Sequence, residues 1–327
     1  MTYVKESFVS SETTGRIGDY LAIARFDHAT KHVFILPGIA LAYLLRGLQE
    51  TNFIAAVALG GLSALFIASA NYCINEYLDR DFDALHPTKS ARTAVNIRLD
   101  GRLVALEWVI FIALGLTFAA LASTTMFWVA CAFGLQGIVY NVRPLRSKDR
   151  TFLDVISESV NNPLRLMYGW AMVDPLSIPP ASLILAFWLG GAFLMGAKRL
   201  SEYREITKSH GKDLLERYRA SFRGYSEISL TVSVFVYALL STFFIGIFLV
   251  KYRVEYLLAM PVLVALYGRY LSMSLVPNST AQRPEKLFRE RKLMLIAAVL
   301  AGTFVIATLY DFPFLARFAE EQYIDVH

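Results

Sequence analysis

Cysteine is nearly absent. Cys73 and Cys131 are the two in 327 residues, and each lies inside an apolar run. That excludes a disulfide framework and a cysteine-built zinc site. Charge is scarce too: Asp, Glu, Lys and Arg make up 18 % of the chain, against about 25 % in soluble domains. No polar stretch is long enough to form a separate soluble domain, and there is no low-complexity tract. The first 31 residues are polar and mixed in charge, without the apolar core of a secretory signal, so the first apolar run is expected to be a retained helix. What fills the chain instead is hydrophobic: 56 % of residues are apolar and the mean hydropathy is +0.46. Disorder and coiled coil are excluded by the same composition.

The apolar residues come in blocks of spanning length, about 17–25 residues each. Nine are expected: Val33–Leu48, Phe53–Ile74, Leu103–Leu121, Thr125–Tyr140, Val155–Val173, Pro180–Ala197, Ile228–Val250, Tyr256–Val276 and Leu293–Phe312. The first and fourth are short. The fifth carries Glu158, Asn161, Asn162, Pro163 and Arg165 and would insert poorly by itself. With the N-terminus inside, 26 of the 32 Lys and Arg fall on inner segments and four on outer ones. By the positive-inside rule this predicts a cytoplasmic N-terminus and an outside C-terminus. The expected fold is therefore all-α, a polytopic membrane bundle of nine transmembrane helices. The net charge of +5 does not suggest nucleic acid, because the basic residues alternate with spans and face one side, where they meet anionic headgroups of membrane lipids. Inner loops are long and outer ones short, which places any chemistry at the inner face.

The most informative stretch runs from Asn71 to Arg92, where the second span continues past its apolar part. Asn75, Asp79 and Asp83 are spaced i, i+4, i+8 and share one helix face. Like charges at that spacing cost roughly 0.2–0.5 kcal/mol on an exposed helix, so something positive must compensate. Oxygen ligands in this pattern suit Mg²⁺, which commonly takes one or two carboxylates plus substrate phosphates. The competing reading is a solvated helix end. His86-Pro87 stops the helix, and Lys89 and Arg92 follow within reach to fold back as phosphate ligands.

The pattern Asn75-Glu76-x-x-Asp79-x-x-x-Asp83 resembles the first aspartate-rich motif of the UbiA superfamily of intramembrane prenyltransferases, with Glu76 in place of the usual Asp. Arg25-Phe-Asp27-His28-x-x-Lys31 stands where such proteins carry a basic motif, and Tyr140-x-x-x-Pro144-x-Arg146-x-Lys148 is similar to their segment after the fourth span. The resemblance implies a segment 1–32 on the cytoplasmic side, a transmembrane transferase domain over 33–312 and a tail over 313–327. It also implies a cell-membrane location with the site facing the cytoplasm, and Mg²⁺ held by Asn75, Glu76, Asp79 and Asp83.

Most members carry a second D-x-x-x-D motif after the sixth span, for a second magnesium. Here Gly196-Ala-Lys198-Arg199-x-x-Glu202-x-x-Glu205 stands instead. Lys198 and Arg199 would replace the metal with fixed cations, while Glu202, three and four residues away, also reads as a salt-bridged face. The substitution resembles the branch that transfers 5-phosphoribose from phosphoribosyl diphosphate to a polyprenyl phosphate, as do His86-Pro87-x-Lys89 and Pro284-Glu285-Lys286-Leu287. Thr93 departs from that branch. The expected catalytic set is Asp79, Asp83, Lys198, Arg199 and Glu202. Lys31, Lys89, Arg92, Tyr140, Arg146, Lys148 and Arg165 are the expected substrate contacts.

Elsewhere, His28 and His32 read as interfacial, Trp128, Tyr140 and Trp170 as interfacial anchors, and Leu214–Tyr225 as a basic amphipathic helix on the inner surface. Two alternatives stand. One is a prenyltransferase using a prenyl diphosphate and an aromatic or other acceptor. The other is a non-enzymatic transporter, which would place ionisable groups near the midplane rather than at the inner edge.

Overall fold

In a computed structural model, residues 15–276 and 290–315 are described. Their regular elements are all helical, without strands. In chain order the α-helices are α1 (Ile17–Ile23), α2 (Leu36–Arg46), α3 (Phe53–Asp83), α4 (Thr93–Asn96), α5 (Gly101–Ala122), α6 (Thr124–Asn141), α7 (Leu153–Ser159), α8 (Asn161–Val173), α9 (Ala181–His210), α10 (Lys212–Tyr218), α11 (Glu227–Tyr252), α12 (Met260–Ser274) and α13 (Arg291–Leu309). Side chains start several of them: Asn52, Asp100 and Ser123 accept hydrogen bonds from the first turns of α3, α5 and α6, and Ser226 and Ser229 cap α11 reciprocally.

Among the described residues, six helices are long and apolar enough to cross a membrane, and a seventh span results if the bent pair over residues 17–46 counts as one. All nine expected segments are helical, but three differ from simple spans. The first is an 11-residue helix behind the 3₁₀ segment Phe26–Ile35. The fourth, α6, holds Gln136 and Asn141 within 18 residues. The fifth is two helices, α7 and α8, meeting at Val160. Gln136 and Asn141 of α6 and Arg165 of α8 are buried inside the bundle. The Pro163 ring removes the amide that would bond the Ser159 carbonyl, and the Asn162 side chain donates to that carbonyl instead, at 3.2 Å.

α8 is the innermost helix: every residue from Pro163 to Val173 is buried except Met167. It packs against α2 without intervening side chains. A Cβ added at Gly38 would meet the Leu166 carbonyl, and one at Gly169 would meet the Ile35 carbonyl, the small-residue packing usual between membrane helices. One core cluster joins α3, α6 and α8 through Ala64, Ile67, Met126, Phe133 and Met172. A second joins α7, α9, α11 and α12. Outward faces are apolar and exposed, as at Leu106, Val109 and Ile110 on α5 and Val232, Phe235 and Leu239 on α11, the surface lipid requires.

Two helices overshoot. α3 has 31 residues and α9 has 30. At 1.5 Å per residue each is about 45 Å long, against a hydrocarbon core of about 30 Å. The excess turns carry Asn75–Asp83 on α3 and Lys198–His210 on α9, so the two motifs project from the same end of the bundle toward one another.

Candidate active site

The last three turns of α3 present Asn75, Asp79 and Asp83 on one face; Asn75 is met by the end of α6 and the two aspartates by loops. The Asn75 amide donates to Asn141 Oδ1 at 2.6 Å. Lys148 Nζ donates to the same oxygen at 2.7 Å and lies 2.6 Å from Asp79 Oδ1. Arg146 Nη2 donates to Asp79 at 2.8 Å, while its Nε holds Asp149 and its Nη1 the Asn141 carbonyl. Arg146 takes this position on a left-handed backbone, φ 24°, a conformation that costs about 1–3 kcal/mol in a non-glycine residue. Burial pushes the Lys148 ammonium down to about 8, against the pull of Asp79.

Asp83 accepts from Arg92 Nη1 at 2.6 Å, with Lys89 Nζ 3.7 Å away. Burial lowers the Lys89 pKa, opposed by Glu202 and Asp83. The loop carrying these cations is closed by His86. Its Nδ1 accepts the amides of Thr88 and Lys89, which leaves Nε2 as the donor toward Glu202 Oε1, 3.4 Å away. Glu76, also buried, has Arg25 at 3.9 Å. Lys31 donates to the Tyr72 hydroxyl at 3.1 Å.

The second cluster is built on Arg199. Its Nε donates to Asp154 at 3.1 Å, Nη1 to Glu202 at 3.3 Å and Nη2 to Glu158 at 2.9 Å. Asp154 is fully buried and also accepts from Ser221 and Tyr225. Glu158 accepts from Tyr140, whose hydroxyl accepts from Arg219 Nη2 at 2.9 Å. Tyr218 donates to Glu202 at 2.8 Å. Lys198 lies within electrostatic reach of Glu158, Arg199, Lys31 and Glu202, yet makes no hydrogen bond or ion pair among the described residues.

The pattern of the UbiA prenyltransferase family matches residues 33–299 of this chain. The chain belongs to that family. It is 30 % identical over 193 residues to the protoheme IX farnesyltransferase of Alkalihalophilus pseudofirmus, covering 57 % of this chain and 61 % of that protein. It is 29 % identical over 209 residues to the Bacillus mycoides protein of the same name, covering 61 % and 66 %. The matched region thus spans less than two thirds of these two relatives' length. Among solved structures, a UbiA homologue from Archaeoglobus fulgidus bound to GPP and Mg²⁺ superposes with a TM-score of 0.66 at 20 % identity, over 89 % of this chain and all of that one. The same homologue bound to DMAPP and Mg²⁺ superposes equally well. At that identity the likeness speaks for the fold. This UbiA family member is accordingly a multi-pass membrane protein.

Relatives bound to Mg²⁺ raise the question of whether these residues fit that ion. Among the described residues, no three acidic, histidine or cysteine side chains converge closely enough to hold a bare metal. The donors at the end of α3 are nonetheless all oxygen, two carboxylates one helical turn apart with a carboxamide a turn before them. That is the protein's share for a Mg²⁺ that arrives on a diphosphate. The cations now lying on Asp79 and Asp83 are the ones such a diphosphate would attract.

The structure brings together most of the residues expected from sequence: Asn75, Asp79, Arg146 and Lys148 at one point, Asp83, Lys89 and Arg92 beside it, and Tyr140, Arg199 and Glu202 in the second cluster. Arg165 stands apart on α8. Two expectations are corrected. Leu214–Tyr225 is not a surface amphipathic helix: α10 ends at Tyr218, and Tyr218, Arg219 and Tyr225 turn inward onto Glu202, Tyr140 and Asp154. Trp170 is not an interfacial anchor; it is 2 % exposed and donates to Ser177, whereas Trp128 is exposed. Sequence reading missed Asp154, Glu158 and Arg219 as site residues. The signal for the first two was two acids four residues apart, one just before and one inside the fifth expected span. The expected Pro284–Leu287 segment and the tail beyond residue 315 lie outside the described residues.

Proposed function

We propose that this protein transfers 5-phosphoribose from phosphoribosyl diphosphate to a polyprenyl phosphate at the inner face of the cell membrane. The observation that carries this reading is the position of Arg199. A two-metal site needs free carboxylates at the second motif. Here Glu202, Asp154 and Glu158 are all engaged by one buried guanidinium, so a fixed positive charge stands where a second metal would be held. A single Mg²⁺ with fixed cations suits a donor whose leaving group is a diphosphate and whose acceptor is already an anion.

Asp79 and Asp83, with Asn75 and Glu76 beside them, would hold the Mg²⁺ on the donor diphosphate. When bound, that ion neutralises charge on the departing pyrophosphate. Arg146, Lys148, Lys89 and Arg92 exchange their carboxylate partners for phosphate oxygens. The lipid phosphate oxygen attacks the anomeric carbon, the bond from that carbon to the diphosphate oxygen breaks, and pyrophosphate leaves with the bonding pair. The acceptor phosphate is ionised at neutral pH, so no strong general base is needed. The protein's contribution is positioning and charge neutralisation. Lys198 and Arg199 hold the anionic ends together, and Glu202, fixed by His86 and Tyr218, orients Arg199. The topology that delivers this is the nine-segment arrangement with a cytoplasmic N-terminus and an outside C-terminus, supported by the distribution of basic residues.

A second reading has support of its own. The relatives are named for farnesyl transfer, and the solved homologues hold prenyl diphosphates. Prenyl transfer to an aromatic or other acceptor would use the same first motif. A donor panel decides between them. Purified protein with Mg²⁺ is given phosphoribosyl diphosphate and undecaprenyl phosphate, or farnesyl diphosphate with a ring acceptor, and pyrophosphate release and lipid product mass are read. Phosphoribosyl transfer should give a product heavier by one phosphoribose; turnover of the prenyl donor alone would overturn the first reading.

A further inference from the structure

Among the described residues, Arg165 has no counter-ion. It is 8 % exposed, and its Nε is buried without a hydrogen-bond partner. Its one hydrogen bond runs from Nη1 to the Asn161 carbonyl of its own helix, at 3.3 Å, and its guanidinium lies 5.4 Å from the centre of the Phe133 ring. The contrast with the other buried arginines is sharp: Arg199 is met by three carboxylates and Arg146 by two. No carboxylate pairs with Arg165 among the described residues.

An unpaired cation inside a membrane bundle is costly and marks a functional position. Its surroundings add to the deficit. His32 Nδ1 is buried and unpartnered, and both Arg165 and Lys31 lie within electrostatic reach of that ring. Lys31 in turn acts on Lys198, which also senses Glu158, Arg199 and Glu202. A chain of basic groups therefore leads from α8 toward the second cluster, with open hydrogen-bonding capacity at the α8 end and apolar side chains of the α3–α6–α8 core around it.

We propose that Arg165, with His32 and Lys31 beside it, is the docking point for the acceptor's head, a phosphate monoester on a long isoprenoid chain. This rests on the acceptor class assigned above. The phosphate supplies the missing counter-charge and accepts from Arg165 Nε. The hydrocarbon tail stays among the apolar helices, and Lys198 stands between the docked phosphate and the donor's cluster.

The test is a binding measurement that needs no turnover. Wild type, Arg165→Met and Arg165→Lys are titrated in detergent with undecaprenyl phosphate, with undecaprenol and with inorganic phosphate. The wild type should bind undecaprenyl phosphate at least tenfold more tightly than undecaprenol. Arg165→Met should lose that preference while keeping its affinity for undecaprenol, and Arg165→Lys should recover part of it. Binding of Mg²⁺ with phosphoribosyl diphosphate should be unchanged in all three. The proposal falls if the wild type shows no preference, or if Arg165→Met keeps it. It falls equally if inorganic phosphate competes at the concentrations at which the lipid binds, since the site would then recognise free phosphate. The wild-type comparison stands even if a variant fails to fold. If the lipid phosphate binds through Arg165 but only a prenyl donor is consumed, the donor assignment fails and the docking site remains.

Discussion

Asp79 and Asp154 are both buried acids held by cations, yet they should respond differently to substitution. Asp79 is held by Lys148 and Arg146, which have other acceptors in Asn141 and Asp149. Replacing it with Asn should lower kcat about 10²–10³-fold, the usual cost of removing one electrostatic stabiliser, with folding intact by size-exclusion profile. Asp154 is fully buried under Arg199, Ser221 and Tyr225. Asp154→Ala should cost about 3–5 kcal/mol of stability, because it strips a counter-charge from Arg199, and a fall in melting temperature reads it. Asp174 gives a pH test outside the spans. Burial alone would raise its carboxyl pKa, but bonds from Ser177, Arg46 and the Leu176 amide hold it below the ordinary aspartate value. The stabilisation is therefore present above the unfolded pKa of about 3.9 and is lost as pH falls through the lower folded value. Asp174→Asn should melt below wild type at pH 7, and the gap should close below pH about 3.9. Of these residues, Asp79 was legible in sequence because its neighbours repeat at helical spacing beside a helix stop. Asp154 and Glu158 were not, because an acid at the edge of a poorly apolar stretch, or within it, looks like a flaw in a span until its partner Arg199 on α9 is known.

At the scale of elements, the pairing of α2 with α8 depends on the absence of two side chains. Gly169→Ala should push the Ile35 carbonyl away and cost about 1–3 kcal/mol, the usual range for overpacking, whereas Gly268→Ala on α12 meets nothing within 4 Å and should be neutral. Melting curves of the two variants check this directly. The long helices α3 and α9 were legible from their apolar runs and from the motifs that continue them. α10 and the turn after it were not. Arg217, Arg219 and Arg223 read as one basic face, but α10 ends at Tyr218 and the chain turns Arg219 inward, which only tertiary contacts with Tyr140 and Asp154 determine.

Across the molecule, hydropathy separates helices that stand in lipid from those that stand among other helices. α5, α11 and α13 keep apolar outward faces, and their bounds fall close to the expected spans. α6, α7 and α8 carry polar residues that pair with one another and with α3 and α9, so the features that weakened them as spans are the ones that build the candidate site. The result is a bundle whose two overlong helices bring an acidic motif and a cationic motif together at one end. The most direct measurement of that arrangement is the affinity for pyrophosphate with and without Mg²⁺, in wild type and in the Asp79→Ala/Asp83→Ala double variant. Wild type should bind pyrophosphate at least about 100-fold more tightly with the metal, the scale of a lost charge-assisted contact set, and the double variant should lose that gain. Equal binding without Mg²⁺, or an undiminished metal effect in the double variant, would contradict a diphosphate-borne metal at the end of α3.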